Sequence, residues 1–307
     1  MGLAMANEHM TYRGVLLEHE PMSRHTSWRV GGIAEHFYRP ADIDDLGNYL
    51  SKLNDAEPVF WLGLGSNLLV NDGGIRGTVI CTSGVLGEIK CLDETRIYVE
   101  AGVPSPKLAR FSAKAGLTGA EFLCGIPGTF GGALAMNAGA VGGETWDIVE
   151  SVETIDAAGN RYQRRPEDFE IAYRHVKSKL KNISREWFVS AIIKLTKGDK
   201  EESLQKIKKH LARRSATQPT QQPNAGSVFR NPENDFAARL IENCGLKGFC
   251  VGGACVSEKH ANFIVNTGTA TAKDIARLIE KVHEEVQIQH GIDLIREVQI
   301  VGLQDEH

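Results

Sequence analysis

This 307-residue chain lacks any apolar run of the ~18 residues that a membrane helix needs, which excludes a helical membrane span. It also lacks a secretory signal. The opening MGLAMANEHMTYRG has no basic start, no long apolar stretch and no small-residue cleavage site, which predicts a cytoplasmic location. With only six cysteines (Cys81, Cys91, Cys124, Cys244, Cys250 and Cys255) and no signal, the thiols are expected to stay reduced. Net charge is −4, without the basic excess of a nucleic-acid binder. Metal motifs are missing as well. Cys244, Cys250, Cys255 and His260 are spaced too widely for the close pairs of a structural zinc site, and His283-Glu284-Glu285 has no second histidine. There is no GxxxxGK[ST] for a P-loop, and Gly226-Ser227 does not have GxSxG spacing. No low-complexity tract or internal repeat occurs.

What is present is an alternation of short apolar runs with helical patterns. Ile43, Leu46, Leu50 and Leu53 recur at helical spacing after Pro40. Pro58 to Leu62 reads as a strand stopped by Gly63 and Gly65, and Val79-Ile80 begins another. Ile97 and Val99 mark a strand, and a helix follows with Ser105 as cap, Pro106 in its first turn and Gly116 at its end. Val149 to Ile155 and Phe188 to Leu195 read as strands. Leu204, Ile207 and Leu211 share one helical face. Ser215 to Asn224, SATQPTQQPN, is the most linker-like stretch and marks the last of the expected domain limits, 1–80, 81–214 and 215–307. Beyond it come a helix over Phe236 to Cys244, a longer one opened by Thr271 with Asp274 and closed by Gly291, and a last strand, Ile292 to Val301, with Glu297 in its middle.

Glycine is concentrated in two places. Gly63-Leu-Gly-Ser-Asn-Leu68 starts like a dinucleotide fingerprint, but Leu68 stands where the third glycine belongs, so a Rossmann turn is excluded. Leu123 to Glu144 carries seven glycines between Gly125 and Gly143. Successive bare backbone amides, with Ser66, Asn67, Thr129 and Asn137 as small polar neighbours, make concave anion nests. Either loop alone reads as close packing. Together in one half of the chain they point to a cofactor diphosphate.

Five collinear segments carry a resemblance: LGLGSNLLVNDGGIRG (Leu62 to Gly77), GIPGTFGGALAMNAGAVGGE (Gly125 to Glu144), YRH (Tyr173 to His175), NAGSVFRNP (Asn224 to Pro232) and REVQIVG (Arg296 to Gly302). In these the chain resembles the UDP-N-acetylenolpyruvoylglucosamine reductase (MurB) family of bacterial cell-wall synthesis. The resemblance implies an α+β fold, with a PCMH-type FAD module of two subdomains followed by an α+β substrate-binding domain. It implies non-covalent FAD, with NADPH as co-substrate, reducing a UDP-sugar enolpyruvyl ether. The cofactor would lie along Gly63, Gly65, Ser66, Asn67, Leu68, Gly125, Ile126, Pro127, Gly128, Thr129, Gly131, Gly132, Asn137 and Gly139. Carried over residue by residue, Ser227 is the proton donor, and Arg174 and Glu297 stabilise or orient the enol. Tyr173, Arg214, Arg230, Asn231 and His260 fall in substrate-binding stretches. The implied partners are small molecules, with no nucleic acid and a monomer or weak oligomer expected.

Two departures from the family pattern are visible. Thr217 precedes Gln218-Pro219 where the family usually has a lysine, so Arg213, Arg214 or Arg230 is expected to supply that charge. Only Val176 to Val189 separate His175 from the next expected strand, near Ser190, which matches the type without an inserted tyrosine loop. Read apart from the motifs, Ser227 is a turn serine, Arg174 an exposed arginine and Glu297 a charge on the wet face of a strand opposite Val298 and Ile300. A flavin oxidase and a non-catalytic nucleotide binder are the rival readings. Intact Arg174, Ser227 and Glu297, and the lack of a histidine beside a glycine pair for covalent flavin attachment, weigh against them.

Overall fold

The computed structural model describes residues 12–54, 56–180 and 185–304. The amino-terminal segment and the middle of the Val176 to Val189 stretch lie outside these residues.

The first region holds β1 (Val15–Pro21), β2 (Ile33–Arg39), β3 (Val59–Leu62), β4 (Leu68–Val70) and β5 (Ile75–Cys81). Its sheet runs β1-β2-β5-β3, with β5 parallel to both β2 and β3. Helix α1 (Ile43–Leu50) is capped by Asp42, whose carboxylate accepts from Asp45 N, and buries Ile43, Leu46 and Leu50. Leu53 lies past its end but still packs on this core. β5 starts at Ile75, ahead of the expected Val79, because β2 already pairs with it there; β3 joins on the other side only from Thr78.

The second region has β6 (Ile89–Cys91), β7 (Arg96–Glu100), α2 (Ser105–Lys114), α3 (Phe130–Ala135), β8 (Val149–Asp156) and β9 (Arg161–Arg164). The hairpin β10 (Phe169–Ala172) and β11 (His175–Ser178), the strand β12 (Glu186–Lys194) and helix α4 (Lys200–Thr217) complete it. A five-stranded sheet, β9-β8-β12-β7-β6, is covered by α2, α3 and α4 over one large apolar cluster. Ser105 is not the cap of α2. Pro104 holds that position, and the buried Ser105 hydroxyl bonds to nothing in the described residues. α4 continues to Thr217, so the first residues of the expected linker are helical.

The last region contains α5 (Ala237–Asn243), β13 (Cys250–Val251), β14 (Ala254–Val256), β15 (Ile264–Asn266), α6 (Ala272–His290) and β16 (Gln299–Val301). The Thr271/Asp274 capping box and the left-handed Gly291 bound α6 as expected. Two expectations fail here. Cys250 and Cys255 form a disulfide, because the β13–β14 hairpin sets them directly opposite each other, an arrangement their spacing alone does not disclose. The final strand covers only Gln299–Val301, parallel to β4; the segment before it, including Glu297, follows the path of Val228 to Arg230 instead. The regions interlock. Trp28 Nε1 donates to Ile264 O at 2.8 Å, and Asp72 accepts from the first amides of α6, Ala272 N and Lys273 N, at 3.1 and 3.0 Å.

Candidate active site

The two glycine loops face each other. A Cβ at Gly63 would lie 2.5 Å from Thr129 Oγ1, and one at Gly128 would lie 3.1 Å from Ser66 Oγ, so bare backbone is required where they meet. Gly65, at φ +66°, turns the first loop against the chain at His25 and Thr26. Thr129 caps α3 by accepting from Gly132 N. Between the loops opens a cavity of about 840 Å³ that also takes in Arg174, Ser227 and Glu297.

Each of those three side chains is held by local structure. Tyr173-Arg174 is the two-residue turn of the β10–β11 hairpin, with Arg174 at φ 53°, a left-handed backbone uncommon outside glycine. The Arg174 guanidinium stacks near the Tyr173 ring at 5.5 Å. Ser227 follows Gly226 (φ +78°), whose N–H donates to Asn224 Oδ1. Buried Asn262 then pins the next residues. Its backbone oxygen accepts from Val228 N, its Oδ1 accepts from Phe229 N at 2.9 Å, and its Nδ2 donates to Phe229 O at 2.8 Å. Glu297 N donates to Val228 O, and Asn67 Nδ2 donates to Glu297 O at 3.2 Å, which stitches the first glycine loop to the glutamate's backbone.

Arg174 Nε and Glu297 Oε1 are 2.7 Å apart with side chains 19% and 11% exposed. The N–H is not aimed along this contact, so it is an ion pair without an in-line hydrogen bond. Burial pushes the Glu297 carboxyl above the usual glutamate range, against the opposing pull of Arg174 and Arg230. Burial also lowers His260, favouring neutral imidazole, and lowers the Arg214 guanidinium. Neither the exposed arginine nor the wet-face glutamate of the isolated sequence survives: both side chains are largely buried and face each other.

Of the residues named from the sequence, Gly63, Gly65, Ser66, Asn67, Leu68, Gly125, Ile126, Pro127, Gly128, Thr129, Gly132 and Gly139 line the cavity, as do Tyr173, Arg214, Asn231 and His260. Three do not. Gly131 is spent on packing, since a Cβ there would meet Ala101 Cβ at 2.7 Å. Asn137 is buried, with Nδ2 donating to Glu144 Oε2 and Oδ1 accepting from Trp146 N. Arg230 is not in the wall, although its charge acts on Glu297. Asn231 lines the cavity but also accepts from Ala237 N at the start of α5. Thr217 lines it too, its hydroxyl donating to Arg213 O. Asn262 was missed; only its neighbour His260 stood out in the sequence. The aromatic walls Trp61, Phe229 and Phe263 gave no signal separable from core residues.

The opposed glycine loops fit a flavin dinucleotide, because they leave bare backbone along the cavity wall where side chains would block it. Comparison with known proteins agrees. Residues 34–163 match the model described as FAD binding domain, and residues 218–301 match UDP-N-acetylenolpyruvoylglucosamine reductase, C-terminal domain. The UDP-N-acetylenolpyruvoylglucosamine reductase of Methylococcus capsulatus is 59% identical over 290 residues, 94% of each chain. The same-named protein of Legionella pneumophila strain Corby is 56% identical over 300 residues, covering 97% of this chain and 96% of that one. The crystal structure of the reductase (MurB) from Thermus caldophilus superposes with a TM-score of 0.79 at 34% identity, over 95% of this chain and all of the other. Fold and cavity thus define an FAD-dependent oxidoreductase with a PCMH-type FAD module and a separate carboxy-terminal domain. The chain belongs to the UDP-N-acetylenolpyruvoylglucosamine reductase family.

Proposed function

We propose that the chain reduces UDP-N-acetylglucosamine enolpyruvate to UDP-N-acetylmuramate with NADPH, and that Arg174, Ser227 and Glu297 carry the substrate half of the reaction. The observation that supports this most is the Arg174–Glu297 ion pair at 2.7 Å, in the cavity that Ser227 shares with both glycine loops. Gly63 to Leu68, Gly125 to Thr129, Gly132 and Gly139 would hold FAD. When bound, FAD supplies the hydride carrier between NADPH and the enolpyruvyl double bond.

The chain's own residues handle charge and the proton. As hydride reaches the terminal carbon, negative charge develops on the neighbouring carbon and its carboxylate. The Arg174 guanidinium, partly desolvated, stabilises that charge more strongly than it would in water. Glu297, as the carboxylate, holds the guanidinium in place through the 2.7 Å ion pair. Ser227 gives its hydroxyl proton to the carbanionic carbon. Its position is set by the rigid Asn224 and Asn262 contacts on either side. Tyr173, Arg214, Asn231 and His260 are the substrate contacts in this reading, with Arg214 carrying the charge that Thr217 lacks. We place the activity in the cytoplasm, in a monomer or weak oligomer with no nucleic-acid partner; no helix in the described residues is long and apolar enough to cross a membrane. The domain limits are those given above, 1–80, 81–214 and 215–307.

Anaerobic stopped-flow tests the proposal. Flavin absorbance should bleach with NADPH and recover with UDP-N-acetylglucosamine enolpyruvate, but not with UDP-N-acetylglucosamine. Ser227→Ala should leave bleaching near wild type and slow recovery by several orders of magnitude, since only that half needs the donor. Equal loss in both halves would remove Ser227 from this role, and reoxidation by oxygen alone would favour an oxidase.

A further inference from the structure

Arg174 and Glu297 are each tied back to one glycine loop through an asparagine amide. On the first loop, Asn67 Nδ2 donates to Glu297 O at 3.2 Å. Past the end of α3, in the second glycine run, Asn137 Nδ2 donates to Ala172 O at 3.3 Å, the last carbonyl of β10 before the Tyr173-Arg174 turn. Asn137 is 2% exposed and does not line the cavity. Its amide is spent inside the fold. Both protons of Nδ2 have an acceptor, the second being Glu144 Oε2 at 2.7 Å, and Oδ1 accepts from Trp146 N at 3.1 Å. The backbone there is left-handed, at φ 40°, a conformation that asparagine adopts more readily than most side chains.

The hairpin that this amide holds needs a tether. β10 and β11 make a two-stranded sheet of their own, joined to no other strand among the described residues. Ala172, Tyr173 and His175 are exposed, and packing on the core comes from Phe169, Ile171 and Val176, set back from the tip. Arg174 also carries left-handed backbone, and an isolated hairpin is marginal in water. Among the described residues, the Asn137 bond and the 2.7 Å ion pair to Glu297 are the polar contacts that hold residues 172–175 against the rest of the chain.

We propose that Asn137 is a positioning residue for Arg174: by fixing the carbonyl two residues ahead of it, the buried amide sets where the guanidinium meets the developing charge. The inference rests on the role given to Arg174 in the proposed function. A catalytic group displaced by about 1 Å loses on the order of a hundredfold in rate, and the long arginine side chain cannot fix its own base. Asn67 serves Glu297 in the same way from the other loop, but it lines the cavity and so cannot report on positioning alone. Asn137 can.

The test uses the full-length, FAD-loaded enzyme. Asn137→Gly removes all three side-chain bonds and suits the left-handed backbone. The double change Asn137→Asp/Glu144→Gln exchanges the two groups: an amide at 144 donates to a carboxylate at 137 and Trp146 N keeps an acceptor, but Ala172 O loses its donor. Both should leave flavin bleaching by NADPH within about twofold of wild type, and slow flavin recovery with the enolpyruvyl substrate about ten- to a hundredfold. Amide hydrogen exchange, read by mass spectrometry, should rise several-fold over residues 169–178 and stay unchanged in β12. In an Arg174→Gln background the same changes should slow recovery by no more than about twofold further, because Asn137 acts through the guanidinium. Full additivity with Arg174→Gln overturns the assignment. So does equal slowing of bleaching and recovery, or loss of FAD from both variants, either of which would make Asn137 a packing residue of the flavin module. Recovery at the wild-type rate in the double change also overturns it. A wild type whose flavin never recovers with the enolpyruvyl substrate sinks the functional reading instead, while faster exchange over 169–178 in the variants would still show the tether.

Discussion

At the scale of the residue, Glu297 shows how burial and charge compete. Desolvation raises its proton affinity, and Arg174 and Arg230 lower it without cancelling the rise. The Arg174 pair needs the carboxylate. Substrate reduction should therefore fall as pH drops through a value above the ordinary glutamate pKa of about 4.3. Arg230→Met removes one of the two lowering charges and should move this acid limb to higher pH in flavin-recovery rates, leaving the NADPH half unmoved. A limb that stays in place would separate Arg230 from Glu297. The sign for stability follows as well. The folded state binds the proton more tightly than the unfolded chain, so this group's contribution declines as pH rises from the unfolded to the folded pKa. Such a cost is characteristic of sites shaped for chemistry rather than for stability.

At the scale of the element, the glycine loops act as a pair. Gly63 meets Thr129, and Gly128 meets Ser66, so each loop supplies the side chain that fills against the other's bare backbone. Gly63→Ala would push a methyl onto Thr129 Oγ1, itself buried, and should cost about 1–3 kcal/mol in FAD binding, measured as flavin released on dilution. Full retention of FAD would mean that the loops can separate freely. Much of this was legible in advance, since glycine density and the missing third glycine are local properties of the chain. What local pattern did not disclose was which members point inward. Gly131 and Asn137 sit in the same run as Gly128 and Thr129, yet they face Ala101 and Trp146. The difference is a matter of which side of a short helix or turn each residue occupies, and small residues carry too weak a periodicity to reveal that.

At the scale of the whole molecule, the regions are locked by contacts between residues far apart in sequence. Asp72 completes the amino end of α6, and β4 pairs in parallel with β16. Asp72→Ala should lower stability by about 1–2 kcal/mol, read as a shift in the denaturant midpoint, by exposing two helix amides and removing a favourable charge at the helix start. No shift would mean that the Thr271 cap alone suffices. Because β16 follows Glu297 directly, the variant should also slow substrate reduction more than flavin reduction.

The sequence by itself determined the family, the glycine loops, the helix caps at Thr271 and Gly291, and the identity of the catalytic candidates, because these reside in contiguous motifs or in bonds spanning a few residues. Only the tertiary structure decided that Arg174 and Glu297 are buried as a pair, that Cys250 and Cys255 are joined, and that Asn137 bonds to Ala172 beside the Arg174 turn. Burial and ion pairing depend on which distant segments share a space. Their energies come from solvent excluded by the assembled fold, a quantity that no local pattern of residues contains.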